Sequence, residues 1–159
     1  MSISNSPGRT LRGLWRALHL IPGGRIVFSK LVGSAAPYTG SMGARVLELS
    51  PGHAKVELRD RRMVRNHLSC IHAVALANLA EMSTGLAMSI GLPDDARGIL
   101  TGLSMEYLKK ARGTLTAVCD CEVPLTSERR EITVVGDIVN KKGEVVARGT
   151  ARWLVGPSR

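Results

Sequence analysis

Between Ile71 and Ile90 the chain reads IHAVALANLAEMSTGLAMSI, apolar at almost every position yet carrying one carboxylate, Glu81, at its middle. Gly91 follows, with Pro93 just beyond, which is a normal helix stop. A helix apolar on nearly all sides cannot lie on one open sheet with its back in water. It must be wrapped by a curved sheet or covered further by a partner subunit. Asn78, Glu81, Ser83 and Thr84 interrupt it too often for the roughly 20 apolar residues that a bilayer span requires.

The rest of the sequence supplies the sheet. Four runs after the helix read as strands, 99–108, 114–123, 130–140 and 144–155. They are separated by Arg112-Gly113, by Pro124 to Glu128, and by Lys141-Lys142-Gly143, the last with good hairpin chemistry. Upstream, Val46 and Leu49 face Ala54, Val56 and Leu58 across Ser50-Pro51-Gly52, the pattern of another hairpin. Strands joined by such short turns pair antiparallel. The predicted fold is α+β, a curved antiparallel sheet wrapped around a long central helix.

Residues 9–34 read as helical. Leu11, Leu14, Trp15, Leu18 and Ile21 repeat at three- and four-residue spacing, with Arg9, Arg12 and Arg16 off that stripe. Pro22-Gly23-Gly24 breaks the pattern, and a second, weaker helix covers 25–32. These residues are expected to form an N-terminal helical extension over 1–38, ahead of a sheet-and-helix domain over 39–159. The basic amphipathic helix is expected to pack on its own domain, and membrane association is not expected.

A formal charge of +9 favours an anionic partner. Two Trp, two Tyr and one Phe leave little from which to build a base-stacking platform, so nucleic acid is not the expected one. Most of the scattered Arg and Lys residues, Arg61, Arg62 and Arg65 among them, are expected to be solvated. Arg12 and Arg16 interrupt any apolar leader region. Three cysteines make no disulfide framework, and the expected location is cytoplasmic.

An unpaired carboxylate buried in an apolar helix costs several kcal/mol unless it is paired, hydrogen-bonded or protonated. Glu81 has no Lys or Arg within four residues on its helix. Asn78 and Gly85 share its side, so the Asn78 amide is placed to support it. Three readings stand side by side: an exposed edge, an arginine from another strand, or a group kept for chemistry. His72 lies nine residues earlier, about 13 Å along the axis and on the opposite side. Histidine at a helix start is more often structural than catalytic. If His72 and Glu81 act on one substrate, they belong to two chains related by a two-fold axis. The free N–H groups at the helix start, near His72 and Ala73, can hold a carbonyl oxygen that gains negative charge. A carboxylate from the other chain can align a water or attack directly. Those parts describe acyl transfer to water.

Asn66, His72 and Glu81, in NHLSCIHAVALANLAE, resemble the N-x5-H-G-G-x6-[DE] signature of hotdog-fold acyl-CoA thioesterases of the PaaI-like group. LSMEYLKKARGTLTA (103–117) resembles that family's Y-L-x-x-A-x-G segment, and GEVVARGTARWLV (143–155) its last strand. The likeness covers about 40–155 and looks most like a branch whose helix begins His-Ala. It implies a hotdog fold, an acyl-CoA substrate, no cofactor, and a homodimer or dimer of dimers with the site at the interface. It implies Glu81 as general base or nucleophile, and Asn66, His72 and Ala73 around the thioester carbonyl. Lys109, Lys110 and Arg112 are the candidates for the CoA phosphates. Thr101 is the candidate for holding the water, although the strand register does not match cleanly. Asn78, Met82 and Gly85 are candidates for lining the acyl pocket, with a partner strand opposite. Ala73 and Val74 in place of two glycines keep the N–H groups but add side chains where the thioester must approach.

Competing chemistries are weaker. Cys70 with His72, or His67, Cys70, His72 and Glu81 as metal ligands, has no firm spacing signature, and no metal is expected. Cys119 and Cys121 lie on one strand face and are expected to pack. Three classes remain: a thioester hydrolase, a non-catalytic hotdog module binding acyl-CoA or another apolar ligand, and a protein using its charge on nucleic acid or a membrane surface.

Overall fold

The computed structural model describes residues 6–158. Three helices open it: α1 (Pro7–Leu18), α2 (Gly24–Ala35) and α3 (Pro37–Ser41). Then come β1 (Arg45–Ser50), β2 (His53–Leu58), a 3-10 turn at Arg62–Val64, and the central helix α4 (Ala73–Ser89). Four strands close the chain: β3 (Ala96–Tyr107), β4 (Leu115–Asp120), β5 (Arg130–Val139) and β6 (Val145–Pro157). All six strands make one antiparallel sheet in the order β1-β2-β4-β5-β6-β3. The α+β expectation holds, as does each expected strand, with shifted ends. β3 begins at Ala96, earlier than expected, and β4 stops at Asp120, short of the expected 123. The short helix α3 has no counterpart in the sequence pattern.

The sheet curls around α4, which packs on all six strands. Eleven of its residues are buried, and its apolar faces leave little amphipathic contrast. Two strand glycines let the helix come close. A Cβ on Gly149 would stand 2.5 Å from the Ala80 side chain, and one on Gly136 would stand 3.1 Å from Ser83 Oγ. Two of the buried polar residues of α4 are satisfied locally. Ser83 and Thr84 donate back to the Ala80 carbonyl at 3.0 and 2.9 Å, and Trp153 Nε1 donates to Thr84 Oγ1 at 3.3 Å.

The N-terminal helices join the same core through Trp15 and Phe28, whose rings meet edge-on at 5.0 Å. Helix α1 begins on a Ser6 cap with Pro7 in its first turn, and its apolar stripe packs on the domain as expected. Its basic face is not simply solvated. Arg12 donates to the Ile90 and Leu92 carbonyls at 2.7 and 3.0 Å, at the C-terminal end of α4, and joins Arg9 on Asp94. A cation there offsets the negative end of the helix dipole. Together, chiefly through the Arg9 hydrogen bond, the two arginines hold the Asp94 carboxyl below its usual range. Ser29 fastens α2 to the sheet by accepting the Val46 N–H at 2.9 Å.

Candidate functional site

The candidate site lies around the start of α4, where the chain turns from a tight loop into the helix. Arg65 and Ile71 pair across this loop. Asn66 organises its interior: its N–H donates to the Cys70 carbonyl at 2.8 Å, and its Oδ1 accepts from Leu68 N at 2.9 Å and Cys70 N at 3.1 Å. The turn places Ser69 at φ 55, in the left-handed region. Ile71 then donates to the Ala111 carbonyl and His72 to the Val64 carbonyl, each at 2.8 Å. Asp60 ties the flanks together by accepting from Arg65 at 2.6 Å and from Gly113 N at 2.8 Å. The Arg65 hydrogen bond is the main cause of its depressed carboxyl pKa.

His72 is the N-cap. Its Nδ1 accepts the Val74 N–H at 3.1 Å, so the neutral ring carries its proton on Nε2. That leaves the Ala73 and Ala75 N–H groups of this helix tip with no acceptor among the described residues. Ala73 lines a cleft of about 370 Å³ together with Asn66, Leu76, Tyr107, Lys109 and Lys110. Val74 and His72 line a different cleft, on the side of α3 and the 3-10 turn. The Val74 side chain therefore does not occupy the space in front of Ala73. With Asn66 Oδ1 committed to its loop, its Nδ2 is the part of the amide left to donate.

The expected basic residues are placed unequally. Lys109 and Lys110 edge the Ala73 cleft, but Lys109 is engaged with Glu144 at 2.7 Å, whereas Lys110 has no ion pair among the described residues. Arg112 reaches the Leu68 carbonyl at 3.5 Å, at the rim. Arg61 and Arg65, expected to be solvated, act as loop fasteners on the Met42 carbonyl and Asp60. Thr101 lies apart from this group. It is the extra residue of a bulge in β3 and donates to Glu131 Oε2 or the Arg152 carbonyl, both at 3.1 Å.

Glu81 is half-buried and does not line the Ala73 cleft. Eight residues separate it from Ala73, about 12 Å of helix rise. It lies with Val74, Ala77 and Gly85 on the least covered stripe of α4. The Asn78 amide does not turn to it, contrary to the expectation from their spacing. Asn78 Nδ2 donates instead to Thr39 Oγ1 of α3 at 3.1 Å, and its buried Oδ1 has no donor among the described residues. From the Thr84 side, where its Nε1 donates to Thr84 Oγ1, Trp153 reaches over Gly85, where a Cβ would stand 2.9 Å from the ring. Tyr107, quoted in the sequence only as part of a motif, donates its hydroxyl to the Ala73 carbonyl at 3.2 Å.

Among the described residues no three His, Cys, Asp or Glu side chains come together as a metal site, and no helix is long and apolar enough to cross a membrane. Cys119 and Cys121 are free thiols packed at the end of β4, Cys119 fully buried. The Cys121 sulfur beside it, together with burial, pushes the Cys119 thiol pKa up.

A single curved antiparallel sheet enclosing one apolar helix is the hotdog fold, and solved structures bear this out. A genomics target, APC5556, matches with TM-score 0.76 and 29% identity over 93% of this chain and 99% of its own. A Pseudomonas aeruginosa protein described as a probable thioesterase matches with TM-score 0.71 and 19% identity, over 81% and 93% of the two chains. A variant of the phenylacetic acid degradation protein PaaI from Thermus thermophilus matches with TM-score 0.62 and 23% identity, over 74% and 97%. Within that class, the chain belongs to the family described as a domain of unknown function, DUF4442, whose model matches residues 24–155. The match takes in α2 and α3 as well as the sheet. Curated proteins give no match.

Proposed function

We propose that this protein is a thioester hydrolase acting on acyl-CoA, with each site shared between two copies of the chain. The observation that carries this reading is the division of the chemical groups. One protomer gathers a free helix-tip N–H at Ala73, the Asn66 amide and Lys110 around one cleft, and holds its half-buried carboxylate about 12 Å further along the helix on its least covered stripe. Two copies related by a two-fold axis would bring the tip of one α4 to the middle of the other. Strand β3 supports such pairing, because it stands at the end of the sheet with β6 as its one partner strand, leaving a row of backbone donors and acceptors free. The thioesterase descriptions of the similar structures point the same way.

In this reading the thioester carbonyl oxygen sits on the Ala73 N–H and Asn66 Nδ2 of one subunit. Glu81 of the other takes a proton from a water molecule, whose oxygen attacks the carbonyl carbon. The negative charge that develops on the carbonyl oxygen is held by donors already in place. Collapse re-forms the C=O bond and breaks the C–S bond, and the thiolate of CoA leaves with the proton that Glu81 took up. The products are a free acid and CoA. Lys110, with Arg112 at the rim, supplies positive charge for the CoA phosphates.

The test is CoA release from a panel of acyl-CoAs by the wild type and by Glu81→Gln. We expect the variant to lose about 10²- to 10⁴-fold in kcat while keeping its fold and its affinity for acyl-CoA. Turnover unchanged by Glu81→Gln rules out this mechanism. Binding without turnover by the wild type identifies a non-catalytic acyl-CoA module.

A further inference from the structure

An acyl thioester bound at this site needs a place for its acyl group, and the N-terminal helices provide one. Resting on the hydrolase reading above, we propose that α2 and α3 build the acyl-chain pocket of this protein, so that the substrate is an aliphatic acyl thioester whose chain is held by the same subunit that supplies Glu81.

A cavity of about 500 Å³ lies between these helices and the central helix. Its walls include Ser29 and Gly33 of α2, Thr39 and Gly40 of α3, Ala44 just before β1, and Met82 of α4, with Lys30 and Arg45 also lining it. Small side chains leave the space, and its surface is mostly apolar. The volume falls within the range of small-molecule pockets, roughly 300 to 1,000 Å³. Met82, the residue after Glu81 and about 100° round the helix from it, forms the inner wall.

The direction of the acyl group follows by exclusion. The basic cleft at the helix tip takes the CoA side of the thioester. From Glu81, the flank of α4 on the Thr84 side is closed by Trp153, whose Nε1 donates to Thr84 Oγ1 and whose ring reaches over Gly85. On the other flank Asn78 and Met82 face α3 and the cavity. An acyl chain leaving the carbonyl carbon therefore has the cavity as its apolar exit.

The walls are formed in advance of any ligand. Helices α2 and α3 touch backbone to backbone at Gly33 and Gly40, where a Cβ on Gly40 would overlap the Gly33 carbonyl oxygen. Ser29 is fixed between the Arg25 carbonyl at 2.7 Å and Val46 N at 2.9 Å. Asn78 fixes α3 to α4 through Thr39. A rigid apolar slot of this kind selects on chain length, with a gain of up to about fourfold in kcat/KM for each methylene that it encloses.

Two substitutions fill the cavity from different walls: Ala44→Leu at a buried position, and Ser34→Phe at an exposed position that also lines it. The measurement is the ratio of kcat/KM for dodecanoyl-CoA to that for butanoyl-CoA, with circular dichroism to confirm folding. We expect each folded variant to lower this ratio at least about tenfold, the equivalent of two or more excluded methylenes. A ratio equal to that of the wild type in both variants overturns the proposal. If the wild type releases CoA from no substrate, the hydrolase reading is what falls. The same comparison is then made on Kd by calorimetry, where loss of dodecanoyl preference in both variants supports the pocket and its retention overturns it.

Discussion

The Tyr107 hydroxyl donates to the Ala73 carbonyl at 3.2 Å, joining the last residue of β3 to the first residue of α4. Strand β3 is one of the two edges of the sheet, and Ala73 carries a free helix-tip N–H. Whatever happens at that edge is thereby coupled to the position of the proposed carbonyl-binding donor. Tyr107→Phe removes the tie and keeps the ring. Because the hydroxyl is exposed, we expect a stability loss below about 1 kcal/mol, with a several-fold fall in kcat. Parallel melting and steady-state assays check this, and an unchanged kcat removes the coupling.

Asn66 has two roles that two substitutions separate. Its Oδ1 holds the loop N–H groups of Leu68 and Cys70, while its Nδ2 is the proposed donor to substrate. Asn66→Asp keeps an acceptor for the loop and loses the donor. Its thermal midpoint should stay close to the wild type while kcat falls roughly 10²-fold or more. Asn66→Ala loses both, and an added stability cost of about 1 to 2 kcal/mol should appear in denaturant titration.

A pH dependence of folding follows from His53. Asp120 Oδ1 lies 2.7 Å from its Nδ1 and Glu48 is at 3.4 Å from Nε2, and the hydrogen bond to Asp120 is the larger cause of a raised imidazole pKa. A raised folded-state pKa means the charged ring stabilises the native state. That contribution is complete below the unfolded-state value near 6.5 and disappears as pH rises through the higher folded-state value. The wild type should therefore exceed His53→Gln in stability at about pH 6 and match it at alkaline pH. With Asp120 largely exposed, the difference stays under about 1 kcal/mol. Urea titrations at the two pH values measure it, and an advantage that grows with pH contradicts the assignment.

Arg12 joins two helices that the sequence does not connect. Its guanidinium donates to the Ile90 and Leu92 carbonyls beyond the end of α4. Arg12→Met keeps much of the aliphatic stem and removes the donors, and should cost about 1 to 2 kcal/mol in equilibrium unfolding. Arg16→Met, on the exposed face of the same helix, should cost less than about 0.5 kcal/mol.

Local pattern carried the elements of this protein and the resemblance carried the outline of its site. The apolar run from Ile71 required an enclosing sheet, and strand alternation with its turn residues located all six strands, because burial periodicity and turn chemistry are properties of neighbouring residues. The sequence also singled out Glu81, Asn66 and the helix start. It did not show that His72 uses its ring to cap Val74, that Asn78 turns to Thr39 and away from Glu81, or that Arg12 reaches the end of α4. Nor did it give the strand order, in which β3 crosses to the far edge beside β6. Each of these depends on groups separated along the chain, from neighbours in one turn to opposite ends of the domain, meeting in space. A side chain's partner is set by the closest available donor or acceptor after packing, and only the tertiary structure decides which one that is.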